Sequence, residues 1–191
     1  PLLTARADAA RAQLLSLQSR HADAERIVHA AMQTVPERRS IADDLVRLDL
    51  QMQLAHARWG SGDTRGAIAV LDAAVLSAQG LGADGLPALA ELLGQRGYAE
   101  TRLFRFEEAG NDLHRALELA GDRSPMTANT VRRYLAELRI LTNHRKEALR
   151  QASDLLESNR KLFGEAHPET GRAWIVLGKS WFYNSNSVHA A

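Results

Sequence analysis

The chain has 191 residues, a hydrophobic fraction of 45% and a net charge of +1 from 24 basic and 23 acidic residues. That length suits one domain or one short repeat array, the hydrophobic fraction argues against an unfolded chain, and the balanced charge gives no global pull toward nucleic acid or a membrane surface. Cysteine is absent, which removes disulfides, thiolate nucleophiles and zinc–thiolate sites.

Ala, Leu and Arg are plentiful, and all three favour helix. β-branched residues never alternate over a strand-length run, so the expected fold class is all-α. Helix 3–19 leads and 21–34 follows. Ser40-Ile41-Ala42-Asp43 resembles a capping box, with Asp where Glu or Gln is usual, and opens a helix over 40–60. Asp63 is placed to cap the next helix, 63–79. Gly80, Gly82, Gly85 and Pro87 punctuate the connection to 87–103, after which comes 106–120. Gly121-Asp122-Arg123 breaks the chain. Ser124-Pro125, a cap followed by proline at the first helical position, starts 125–142. Helix 144–162 ends at a break from Gly164 to Pro168, and 168–184 closes the series. No apolar run approaches the ~20 residues of a membrane span, and no signal-peptide pattern is present. The first residue is Pro1 rather than methionine, so a longer parent chain is expected.

A short pattern recurs: a polar turn, then an alanine opening an apolar helical stripe. The alanines are Ala24, Ala67, Ala109, Ala148 and, in a weaker copy, Ala190, at spacings of 43, 42, 39 and 42. After Ala67 the stripe is Leu71, Ala74 and Val75; after Ala109 it is Leu113, Ala116 and Leu117. Ala24 and Ala148 head similar stripes, Val28, Ala31 and Met32 and then Ala152, Leu155 and Leu156. This is the 3.6-residue period of one helix face, and a small residue at its head lets a second helix come close. Each such helix follows another, so the unit is a helix hairpin.

Arg105-Phe106-Glu107-Glu108-Ala109 with Ala116-Leu117-Glu118-Leu119 resembles the second helix of a tetratricopeptide repeat. Trp174, Leu177, Gly178 and Trp181 stand where that family has the marker positions of its first helix, and Ala190 falls at its small residue. Phe163-Gly164-Glu165-Ala166-His167-Pro168-Glu169-Thr170 resembles the linker of the longer, kinesin-light-chain-like class, which repeats at about 42 residues against about 34 for the ordinary form. The resemblance implies a right-handed α-α superhelix of four hairpins plus a C-terminal helix. It implies one array over 1–191, with repeats at about 3–36, 40–80, 87–121, 125–163 and a partial fifth at 168–191. Two first helices depart from the pattern: Arg96 and Glu100, and likewise Asp8 and Arg11, fall where apolar residues belong. Either the register shifts there or those repeats have drifted. HEAT-like repeats share the period and are the alternative architecture.

The ionisable residues form no recognisable catalytic set. No two of the seven histidines stand at i, i+4 on one helix, which excludes a helical zinc pair of the H-E-x-x-H kind. His167 is expected to fix a turn. Asp43-Asp44 and Glu107-Glu108 lie in first helical turns, where they favour the helix dipole. Gly80 to Gly85 lacks the Lys-Ser/Thr of a phosphate loop, and no G-x-S-x-G elbow occurs. No enzyme activity, cofactor or metal is therefore expected. Residues 131–161 hold eight basic and four acidic side chains. The bland reading is a solvated helix face; the sharper one is a seat for an acidic partner.

The resemblance implies a groove lined by first helices. Its positions carry over to Met52, His56 and Trp59, then Tyr98, Thr101 and Arg102, then Arg133 and Glu137, and finally Lys179, Phe182 and Tyr183. The implied function is a protein-interaction scaffold binding a peptide or partner helix, within a larger, bacterial regulatory protein. A ligand-sensing repeat module of a transcriptional or signalling regulator is the alternative. Neither nucleic acid nor membrane is an expected partner. A homodimer through the aromatic C-terminal helix is. The expected compartment is the cytoplasm, or the periplasm for a membrane-anchored parent.

Overall fold

The computed structural model describes residues 2–36, 40–121 and 123–185. Among them are nine α-helices, one 3-10 turn and no strand. The helices are α1 Leu2–Leu17, α2 His21–Thr34, α3 Ile41–Gly60, α4 Thr64–Gly80, α5 Leu86–Arg102, α6 Phe106–Ala120, α7 Pro125–Leu141, α8 Arg145–Phe163 and α9 Pro168–Ser185. Each predicted helix is present. Asp122, Ala190 and the weak fifth copy at 186–190 lie outside the described residues.

Local chemistry sets several ends. The Ser40 hydroxyl accepts the Asp43 backbone N–H at 3.1 Å and donates to the Asp43 carboxylate at 2.7 Å, a capping box closed through the side chains. Asp63 caps α4 by accepting the Gly66 N–H at 2.8 Å. Ser124 does not cap α7: its side chain makes no cap bond. Pro125 does start that helix. Before α9, His167 Nδ1 accepts the Glu169 N–H at 3.2 Å, and the ring stacks on Phe163 with centroids 4.8 Å apart. Thr170 donates to the Gly164 carbonyl at 2.8 Å, and buried Asn159 donates to the Glu169 carbonyl at 3.0 Å.

Inside the hairpins one turn recurs. Ser19, Gly62, Phe104 and Asn143 all have positive φ, at 60°, 92°, 62° and 65°. The next residue's N–H then reaches back five residues: Arg20 to Leu15, Asp63 to Arg58, Arg105 to Glu100 and His144 to Arg139, at 2.8 to 3.0 Å. This Schellman closure satisfies carbonyls that a helix end would leave bare. Each turn stands five residues before an anchor alanine, so turn and alanine repeat together.

The anchors are sealed. Ala24, Ala67, Ala109 and Ala148 are at most 1% exposed. In the α5–α6 hairpin the fit is tight enough that a Cβ on Gly97 would stand 2.8 Å from Leu113 Cγ and 3.0 Å from the Ala109 carbonyl oxygen.

Consecutive helices pack antiparallel in hairpins. In addition α1 meets α3, α3 meets α5, α5 meets α7 and α7 meets α9, so the odd-numbered helices form one continuous layer and the even-numbered ones a second. The core is shared out along the stack. Val46, Leu50, Leu54 and Ala57 of α3 face α1 and α2, whereas Leu48, Met52 and Ala55 join α4 to α7. A hairpin alone could bury only part of this surface, and stacking completes it.

Packing accommodates Arg96 and Glu100 where the repeat pattern expects apolar residues. The Arg96 guanidinium takes both oxygens of Asp112 on α6, at 2.5 and 2.8 Å, and Asp72 on α4 at 2.8 Å. These bonds to carboxylates hold the Arg96 charge firmly, its pKa raised above the ordinary value. Glu100 is 7% exposed. Burial, reinforced by the Asp112 charge, pushes its carboxyl up to about 7. In α1 the buried stripe is Ala5, Ala9, Ala12 and Leu15; Asp8 is half-buried and Arg11 exposed.

Helix α9 presents its small residues to the preceding hairpin. Ala173, Val176 and Ser180 are buried, while Trp174, Ile175, Trp181, Phe182 and Tyr183 are 45% to 61% exposed. At the surface Trp174 lies under Arg160 at 4.9 Å and donates to Glu165 at 3.4 Å.

Candidate partner-binding groove

The inner layer carries an aromatic stack across three hairpins. Trp59 of α3 meets Tyr98 of α5 with centroids 4.6 Å apart and planes tilted by 44°. Tyr98 then stacks on Tyr134 of α7 at 4.2 Å and 14°. The Arg133 guanidinium lies 4.4 Å from the Tyr134 centroid. Glu137, one turn on, is 3.8 Å from Arg133 and 4.0 Å from Lys179 of α9. The chain of contacts thus runs from the second hairpin to the last helix. Burial raises the Tyr98 phenol above its ordinary value; Glu137 adds to the shift, and Arg102 and Arg133 oppose it. Arg102, itself exposed, therefore stands within electrostatic reach of the stack.

Beside the stack, α3, α5 and α7, with Gln13 of α1, line an open cavity of about 330 Å³. Met52, Leu48, Leu92 and Val131 line it, together with Asp49, Gln53, His56, Glu91, Gln95, Thr127 and Tyr134. Tyr134 donates to Gln95 Oε1 at 3.3 Å, Thr127 to Glu91 at 3.3 Å, and Gln53 Nε2 to Asp49 at 3.0 Å. His56 also hydrogen-bonds Gln95; burial holds its pKa below the ordinary value, against the pull of Gln95 and Asp49.

The structure brings Trp59, Tyr98, Arg133, Glu137 and Lys179 together in the stack and its polar extension, and sets Met52 and His56 in the cavity wall. Phe182 and Tyr183 lie beyond, exposed and in edge contact at 5.5 Å. Thr101 is placed differently. It is 1% exposed, and its hydroxyl donates to the Gly97 carbonyl at 2.8 Å inside the hairpin. The sequence reading passed over Tyr134, Asp49, Gln53, Glu91 and Gln95. Their signal was periodic: Gln95 and Glu91 precede Tyr98 by three and seven residues on the same face of α5.

Four of the eight basic side chains of 131–161, Arg133 among them, form ion pairs, and the excess of base over acid there remains. Arg139 meets Glu147 at 3.3 Å, Arg160 meets Glu165 at 2.6 Å and Lys161 meets Glu157 at 2.5 Å. Arg133 is the member of that group joined to the aromatic stack. Among the described residues no helix is long and apolar enough to cross a membrane.

No protein-family model matches the chain, and no curated protein matches it at a significant level. Solved structures do. The kinesin light chain-like protein of Podosopora anserina, built of nearly identical TPR-like repeats, superposes with a TM-score of 0.73 and 15% identity, over 100% of this chain and 91% of that one. A point variant of that protein gives the same score over 97% and 88%. BtubC (BKLC) from P. vanneervenii gives 0.75 at 19% identity, over 91% of this chain and 70% of that one. The fold is that of the TPR-like repeat solenoids. The first helices of the hairpins, the odd-numbered ones, carry the stack and the cavity.

Proposed function

We propose that this chain is a protein-interaction scaffold whose inner layer receives an extended peptide or a partner helix. The observation that carries this reading is the unbroken run from the cavity through Trp59, Tyr98 and Tyr134 to Arg133, Glu137 and Lys179. Aromatic faces give contact area at low entropic cost, and the charged side chains beyond them fix direction. Met52, His56, Trp59, Tyr98, Arg102, Arg133, Glu137 and Lys179 are the proposed contact residues, with Phe182 and Tyr183 where the partner extends past α9. A regulatory role inside a larger protein fits a scaffold that does no chemistry of its own. Nucleic acid is a poor fit, because the chain's balanced charge gives little pull on a phosphate backbone.

The test is capture of partners on the wild-type chain and on Arg133→Glu/Lys179→Glu. Loss of specific partners from the charge-reversed chain, with its melting temperature kept, supports the reading. Identical capture by both chains rejects the groove as the contact surface.

A ligand-sensing module is the second reading. The cavity favours it, since about 330 Å³ lies at the lower end of small-molecule sites. Stabilisation by a small molecule alone would select it over the scaffold. The exposed face of Trp174, Ile175, Trp181 and Phe182 suits a homodimer through α9. Light scattering on the wild type and on Trp181→Glu/Phe182→Glu decides that point: dissociation in the variant supports it, and a wild type monomeric at every concentration rejects it.

A further inference from the structure

The cavity between α3, α5 and α7 has a chemical polarity that the scaffold reading leaves unused. Its apolar wall is built from Leu48, Met52, Leu92 and Val131. Its charged residues are Asp49 and Glu91, and among the described residues no lysine or arginine lines it. His56 balances them poorly, because burial disfavours its charged form. The two carboxylates share one concavity: burial lifts the Glu91 carboxyl above its ordinary value, and the Asp49 charge lifts it further.

A second observation is independent of that charge. Gln53, 7% exposed, forms part of the cavity wall. Its Nε2 is committed to Asp49, which fixes the amide's orientation, and its Oε1 has no hydrogen-bond partner. A buried acceptor left unmatched is costly, and a small turn of the Gln53 amide toward an arriving donor would relieve the cost. Thr127 and Gln53 use only part of the acceptor capacity of Glu91 and Asp49. The cavity thus lacks one thing its walls could hold: a cationic donor on an apolar stem.

We propose that this cavity receives a lysine or arginine side chain of the bound peptide, its charged head among Asp49, Glu91 and Gln53 and its methylenes along Met52 and Leu92. The proposal rests on the peptide-binding reading above and adds a chemical requirement to it. Long cationic side chains bury their stems against apolar surface while the head keeps polar company. Bonds from such a head to carboxylates are the stronger, charge-assisted kind.

The three methionines give a direct readout. Met52 and Met126 line the cavity, whereas Met32 lies on α2 and serves as an internal control. Methyl NMR of the full chain is recorded while titrating N-acetyl-lysine amide, N-acetyl-arginine amide, the uncharged N-acetyl-norleucine amide, or cadaverine as a free amine. The expected result is saturable movement of Met52 and Met126 but not Met32 with the lysine or arginine probe. Binding should be about tenfold weaker for norleucine, and about tenfold weaker for the lysine probe on Asp49→Asn/Glu91→Gln at unchanged melting temperature. No movement, equal response to norleucine, or unchanged affinity in the neutralised variant overturns the proposal. So does tighter binding of cadaverine than of the capped residues, which would make the site one for a free amine. Groove binding that survives while the probes fail removes this inference alone. Probe binding without any peptide partner removes the scaffold reading instead.

Discussion

The backbone N–H of Arg105 donates to the carbonyl of Glu100 at 3.0 Å, across a turn that Phe104 closes at φ 62°. The same closure ends α1, α3 and α7, with Ser19, Gly62 and Asn143 in Phe104's place. Glycine and asparagine suit a left-handed residue, whereas a bulky aromatic does not. Phe104 is 73% exposed, and its ring gains edge contact with Phe106 at 5.9 Å. Phe104→Gly is therefore expected to stabilise the chain by about 1 kcal/mol, the relief of strain exceeding the lost ring contact. Urea unfolding measures it. A destabilised variant would show that the aromatic contact outweighs the backbone strain.

Glu100 gives a pH signature. Its carboxyl moves from 4.5 to about 7 on folding, so between those values the folded chain holds a proton that the unfolded chain releases. Stability from this group therefore falls as pH rises through that window and stays low above it. Glu100→Gln removes the effect. The variant should exceed wild type by about 1–3 kcal/mol at pH 8, and by well under that at pH 5. Unfolding curves at the two pH values test this. A gain equal at both would mean that packing, not charge, is responsible.

Gly97 and Gly178 occupy corresponding places in two first helices, yet they should respond oppositely to alanine. A Cβ on Gly97 meets Leu113 and the Ala109 carbonyl, whereas one on Gly178 meets nothing within 4 Å. Gly97→Ala is expected to cost about 1–3 kcal/mol through overpacking. Gly178→Ala should be neutral or gain up to about 1 kcal/mol from helix propensity. Thermal melts of both variants check the pair, and a harmless Gly97→Ala would contradict the close approach of α5 and α6.

Ala109→Phe probes the hairpin from the other side. Ala109 is 0% exposed, so a ring there has no void to enter. A loss of about 1–3 kcal/mol or more is expected. An unchanged melting temperature would mean that the periodic alanines do not mark the helix contacts.

Those alanines were legible because a small residue, a stripe of period 3.6 and a polar turn all lie within a dozen residues of one another. The caps at Ser40 and Asp63 were legible for the same reason. Arg96 and Glu100 looked like errors of register because their setting is distant in sequence: Asp72 and Asp112 are 24 and 16 residues from Arg96. The turn at Phe104 carries no residue signal at all. Thr101 was placed in the groove by counting, but it sits four residues after Gly97 on the hairpin side of α5. Asp49 and Glu91 drew no notice singly. Only the stacking of α3 on α5 puts their charges into one cavity.

The most direct test of the inner layer as a binding surface uses a peptide selected on this chain from a random library, with amide and indole NMR shifts mapped on binding. The account predicts that the shifts gather on α3, α5, α7 and α9, with the Trp59 indole and the backbone around Tyr98 and Tyr134 among the largest. Shifts gathered instead on the outer faces of α2, α4, α6 and α8, with Trp59 unmoved, would contradict it.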